Sequence, residues 1–114
     1  MKLAIPLTIK DNHLNMKQDY TLELSAENNF SILNRIVNVL NRRRVRIKKL
    51  IAHEITGDFH KGGALLLLYT TPGLMEKVKY QLEKLIEVER VDYCAGSELF
   101  YELNERNNKE VVLG

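Results

Sequence analysis

Cysteine is nearly absent from this sequence: Cys94 is the only one in 114 residues. A single thiol excludes an internal disulfide framework and fits a reducing compartment, so a cytoplasmic setting is the expectation. Charge of one sign is also lacking. Seventeen basic residues stand against fifteen acidic ones for a formal net charge of +2, a balance too even for the whole-molecule field to select nucleic acid or membrane. No apolar run approaches the roughly 18 residues of a membrane span. The opening residues, MKLAIPLTIKDNHLN, hold a short apolar stretch broken by Pro6 and lack the apolar core and cleavage site of a secretory signal. Met16 is a candidate second start, which makes residues 1–15 an expected appendage.

Chemistry-bearing constellations are missing too. The three histidines, His13, His53 and His60, are scattered and none has a second ligand at helical spacing, so no metal site is expected. Cys94 has no base at a motif spacing, which argues against nucleophilic catalysis. A small hydrolase of comparable layout would carry a glycine-rich phosphate loop with an embedded arginine after its first strand. This chain has Glu27-Asn28-Asn29-Phe30-Ser31 instead. No catalytic residue and no cofactor are therefore assigned.

What is present is a hydrophobic content of 45% with 28% charged residues, the balance of one globular domain. Such a chain encloses a single core and leaves little material for a deep private cavity, so a ligand site is expected at a surface or subunit boundary. Tyr20, Leu22 and Leu24 alternate with Thr21 and Glu23, the two-residue period of a half-buried strand. Asn28 and Asn29 then mark a turn and a helix start. Ile32, Leu33, Ile36, Val37 and Leu40 recur every three or four residues, which predicts a helix from about Ser31 to Arg42 with Asn34, Arg35, Asn38 and Asn41 outward.

A second strand is expected within Val45 to Ile55, with a bulge where its alternation changes phase between Ile47 and Leu50. Thr56 to Gly63 reads as a glycine-containing hairpin loop of several residues. Ala64 to Tyr69 is a continuous apolar run, taken as a third strand covered on one side. Thr71-Pro72 opens a second helix whose inner face is predicted to hold Leu74, Val78, Leu82, Leu85 and Ile86. A fourth strand runs from about Val88 to Ala95 and stops at Gly96. Leu99, Phe100 and Leu103 stand near helical spacing, ahead of a polar stretch expected to fray.

The order is βαββαβ: an α+β, ferredoxin-like arrangement in which two helices lie on one face of a four-stranded antiparallel sheet. Residues 1–19 form an N-terminal extension, 20–96 the domain and 97–114 a C-terminal extension.

At this level the sequence resembles the ACT domain, and in particular the small regulatory subunit of acetolactate (acetohydroxyacid) synthase. The resemblance rests on Gln81-Leu82-Glu83-Lys84-Leu85-Ile86-Glu87-Val88-Glu89-Arg90-Val91, similar to the family's Gln-Leu-x-Lys-Leu-[Val/Ile]-[Asp/Glu]-Val-x-x-Val, and on Leu33-x-Arg35-Ile36 followed by a basic helix end. It implies a non-catalytic regulatory subunit, homodimeric through its ACT domain, that modulates the thiamine-diphosphate-dependent large subunit in branched-chain amino acid synthesis. A stand-alone amino-acid sensor acting on another partner is the alternative.

By the same resemblance a small amino acid would sit between the first strand–helix turn of one copy and the start of the second strand of the other. That points to Asn28, Asn29 and Ser31, with Arg46 from the facing copy. A helix N-terminus suits a carboxylate. Two departures stand out: Ser31 replaces the family's glycine near the helix start, and Arg44 replaces the glycine after the first helix. Simple capping by Asn28, Asn29 and Ser31 is the competing reading.

Six of the eight residues from Arg42 to Lys49 are basic. They are explained by the negative end of the first helix, or by an acidic surface on the large subunit. For the latter the contact residues would be Arg42, Arg43 and Arg44, joined by Leu99, Phe100 and Leu103 of the tail. Nucleic acid is disfavoured, because ferredoxin-like RNA binders stack bases on strand aromatics and the third strand carries only Tyr69.

Overall fold

A computed structural model describes residues 16–28, 30–55 and 57–113. The elements follow in the order β1 (Gln18–Glu27), α1 (Phe30–Arg42), β2 (Arg46–Ile55), β3 (Asp58–Thr70), α2 (Pro72–Glu83), β4 (Val88–Ala95) and α3 (Glu98–Leu113). The four strands make one sheet in the order β2-β3-β1-β4 with every pair antiparallel. This is the α+β, ferredoxin-like layout that the sequence implied.

Alternation along the strands sorts the side chains into two layers. Tyr20, Leu22, Leu24 and Ala26 of β1 and Ala64, Leu66 and Leu68 of β3 face one way, and Ile32, Ile36 and Leu40 of α1 with Met75, Val78 and Leu82 of α2 close over them. Each leucine, isoleucine, valine or methionine among them contributes roughly 1.5–3 kcal/mol when fully buried. Leu65 and Leu67 face the other way, where Phe100 of α3 covers them together with the partly buried Ile51 and Leu103. The unbroken leucine run of β3 is thus covered on both faces, not on one.

Several local expectations change in the structure. Gly62 and Gly63 lie inside β3, paired with Glu54 and His53, so the reversal is a tight turn at Gly57 (φ 87°) and not a loop reaching to residue 63. Ile86 is 94% exposed, because α2 ends at Glu83 and a turn closed by Val88 N–H on the Leu85 carbonyl (3.0 Å) takes Ile86 out of helical phase. Met75 takes the inner place that the spacing gave to Leu74, which is only half-buried. The tail is a 16-residue helix, and Thr21 explains how it starts. Its buried hydroxyl donates to the Gly96 carbonyl (2.8 Å) and accepts from Phe100 N–H (3.2 Å), pinning the first turn of α3 to β1.

The bulge in β2 occurs where the phase change placed it, between Ile47 and Lys49. The end of α1 is a Schellman motif. Val45 N–H reaches the Leu40 carbonyl (3.0 Å), Arg44 N–H reaches that of Asn41 (3.0 Å), and Arg44 takes a positive φ of 55°.

Candidate functional site

A groove of about 460 Å³ opens between α1 and the sheet at the end where β1 runs into the helix. α1 leans over β1 and β3 and leaves the inner side of β2 partly uncovered, so Ala52 is exposed and Leu50 only half-buried. The floor is Leu24, Ala26 and Ala64, and the helix wall is Ile32, Leu33 and Ile36. Polar groups gather at one end: Glu27, Asn28, His53 and Glu54.

Two glycines shape that end. A Cβ on Gly62 would stand 3.2 Å from the His53 carbonyl and 3.6 Å from Asn28 Oδ1. Any side chain there would fill the passage beside Asn28. A Cβ on Gly63 would lie 2.8 Å from His53 Cε1, so the imidazole lies over the space that Gly63 leaves open on the opposite side of the sheet. His53 Nδ1 is 3.1 Å from the Glu54 carbonyl.

Asn28 is fixed by the sheet and does not cap α1 with its side-chain amide. Its N–H donates to the His60 carbonyl (2.7 Å) and its Nδ2 to that of Phe59 (2.8 Å), which ties the end of β1 to the start of β3. Asn29 lies outside the described residues. Ser31 is exposed on the first turn of α1. Arg46 opens β2 opposite Tyr69, whereas Asn28 follows Glu27, which pairs with Lys61. Eight residues of strand separate the two positions, roughly 26 Å, so one chain does not bring them together.

The residues assigned to a partner divide as well. Arg42 and Arg44 are exposed at the end of α1, and Arg43 is held by its Nε donating to Gln81 Oε1 (3.2 Å). Leu99 is 38% exposed, but Phe100, expected as a partner contact, is fully buried against Leu65 and Leu67 and offers no surface to a partner. The spacing of Leu99, Phe100 and Leu103 marked an apolar face; the sheet beneath already occupies it. His53, Glu54, Gly62 and Gly63 went unread as site residues because strand register, not local sequence, gathers them.

Away from the groove, Tyr93 donates its hydroxyl to Glu76, and its ring meets that of Tyr20 edge-on with centroids 5.7 Å apart. The hydrogen bond to the carboxylate, and secondarily burial, pushes the Tyr93 phenol up to about 12. Among the described residues no group of histidine, cysteine and carboxylate side chains could hold a metal ion, and no helix is long and apolar enough to cross a membrane.

The sequence matches no family model and no curated protein. Solved structures do resemble it. The ACT domain from the GTP pyrophosphokinase of Chlorobium tepidum superposes with a TM-score of 0.60 at 12% identity, over 69% of this chain and 100% of that one. A homoserine dehydrogenase from Thiobacillus denitrificans gives 0.62 at 18% identity, over 73% of this chain but 18% of the enzyme. The acetolactate synthase small subunit from Thermotoga maritima gives 0.59 at 17% identity, over 67% of this chain and 47% of the subunit. With its β2-β3-β1-β4 sheet and α1 and α2 on one face, the chain has the fold of an ACT domain.

Proposed function

We propose that the chain is a non-catalytic regulatory module that takes a small amino acid in the groove between α1 and β2, and that it serves as the small subunit of acetolactate synthase. The observation that carries this reading is the make-up of the groove. Aliphatic walls from Ile32, Ile36, Ala52 and Ala64 suit a branched aliphatic side chain. The Asn28 side-chain carbonyl oxygen, the backbone carbonyl of His53 and the carboxylates of Glu27 and Glu54 suit the ammonium of a zwitterionic head group at the other end. Ser31 on the exposed first turn of α1 extends that polar end, and Arg46 would reach it only from a second copy, as in a homodimer.

The partner would be the thiamine-diphosphate-dependent large subunit, met through Arg42, Arg43, Arg44 and Leu99, in the cytoplasm. To raise its activity, the module must bind the active arrangement more tightly than the inactive one, since equal affinity shifts nothing. The two motifs around Arg35 and Gln81–Val91 favour this partner. The likeness to the ACT domain of a GTP pyrophosphokinase and to part of a homoserine dehydrogenase keeps a second reading in view, an amino-acid sensor serving a different enzyme. Nucleic acid finds less support, because α3 covers the middle of the sheet face on which bases would stack.

Co-expression with the large subunit tests the reading. Co-purification together with faster acetolactate formation in the presence of this chain is expected. Neither effect, with branched-chain amino acids giving no calorimetric heat, refutes it.

A further inference from the structure

We propose that the recess between the C-terminal end of α1 and the outer face of α2 binds a nucleoside polyphosphate. This recess, of about 370 Å³, is separate from the amino-acid groove, and its lining is Arg43, Glu76, Lys77, Tyr80, Gln81 and Lys84. On α2 the lining positions recur at the spacing of one helical stripe, the stripe opposite Met75, Val78 and Leu82. α2 thus buries one face and turns a cationic, aromatic one outward.

Of the described basic side chains that stand in no salt bridge, three converge on this one recess. Arg35, Lys48, Lys61, Arg90 and Arg106 each stand within salt-bridge distance of a carboxylate. Among the described residues Arg43, Lys77 and Lys84 have no such partner, although all three line one recess. The one carboxylate in the lining, Glu76, already accepts the hydroxyl of Tyr93. Three cations facing one engaged acid make a local field that attracts a multiply charged anion.

Two details narrow the class of anion. Arg43 is oriented by the bond from its Nε to Gln81 Oε1 (3.2 Å), which leaves both terminal amino groups of the guanidinium for an acceptor with paired oxygens, as a phosphate has. Tyr80 is 61% exposed, with Lys84 Nζ over its ring 4.3 Å from the centroid. With Lys84 over one face, the exposed ring can offer its other face as a stacking platform for a base whose phosphates meet the cations. Free polyphosphate shares the anionic half of this recognition but not the stacking half.

The test is amide-resonance titration of the full chain, isotopically labelled, with ATP, tripolyphosphate, adenosine and a short single-stranded oligonucleotide in separate arms. Saturable shifts confined to Arg43, Lys77, Tyr80, Lys84 and their neighbours are expected with ATP, weaker ones with tripolyphosphate, and the weakest with adenosine. Lys77→Ala should weaken ATP about threefold, in line with an exposed charge contact. Tyr80→Leu should reduce ATP to the affinity of tripolyphosphate. Both positions are exposed, so the variants keep the fold. Shifts spread over every basic residue, no response to either substitution, or tighter binding of the oligonucleotide than of ATP would each overturn the proposal.

Discussion

Phe100→Ala is the most direct probe of how the two sheet faces are held. The ring is fully buried and lies on Leu65 and Leu67, with Ile51 and Leu103 around it, while the backbone N–H of the same residue is bound by Thr21. Truncating a fully buried phenylalanine costs about 3–5 kcal/mol, the sum of lost transfer energy and an unfilled cavity. Against a total stability of about 5–15 kcal/mol for a domain of this size, that is a large fraction. With a urea dependence of about 2 kcal/mol per molar, the unfolding midpoint should fall by roughly 2 M. Circular dichroism is the suitable signal, since the chain has no tryptophan. Leu99→Ala is the matched control: at 38% exposure it should move stability by less than about 1 kcal/mol. If Phe100→Ala proves as mild as Leu99→Ala, α3 is not seated on the sheet. Phe100 would then be free to meet a partner after all.

The remaining predictions concern backbone strain and pH. Arg44→Gly should stabilise the fold: a left-handed non-glycine residue costs about 1–2 kcal/mol, offset by the roughly 0.5–1 kcal/mol that glycine loses in unfolded-chain freedom. The net gain, about 0.5–1 kcal/mol, corresponds to a rise in Tm of about 2–4 °C by calorimetry. Arg44→Ala keeps the positive φ and should give no such gain; a fall in Tm with glycine would refute the strain argument. For Tyr93 the folded-state phenol is raised, so the folded protein holds that proton more tightly than the unfolded chain. Its stabilising effect is complete below the ordinary tyrosine value near 10 and disappears as pH climbs through about 12. Tyr93→Phe should flatten the fall in stability across that window, and an identical alkaline unfolding curve for the variant would contradict the assignment.

Much of the fold is legible in the sequence because periodicity is a direct record of which side is buried. The α1 spacing found Ile32, Ile36 and Leu40, and the phase change near Lys48 found the bulge, since each is a local consequence of one element meeting one surface. Misreadings arose where two elements share the decision. Gly62-Gly63 has the composition of a turn, yet pairing on both sides keeps it in β3, opposite β1 and β2 together. Leu65 and Leu67 carried the clue to a second cover: a strand with only one buried side has no use for leucine at every position. Phe100 supplies the cover, and the polar residues after Leu103 masked the length of its helix.

The candidate groove was half visible for a related reason. Asn28 is legible because turns have a local chemistry, but its amide serves the carbonyl of Phe59, thirty-one residues away, and no spacing rule announces that bond. His53 and Glu54 enter only because the β2–β3 register sets them beside Gly63 and Gly62, and a one-residue slip would carry the Glu54 side chain to the opposite side of the sheet. The bulge at Lys48 lies between the start of β2 and these residues, so it fixes which side of the sheet they face. The same bulge that looks like an irregularity in an edge strand is therefore what turns Ala52 and Glu54 toward the groove and the His53 imidazole away from it.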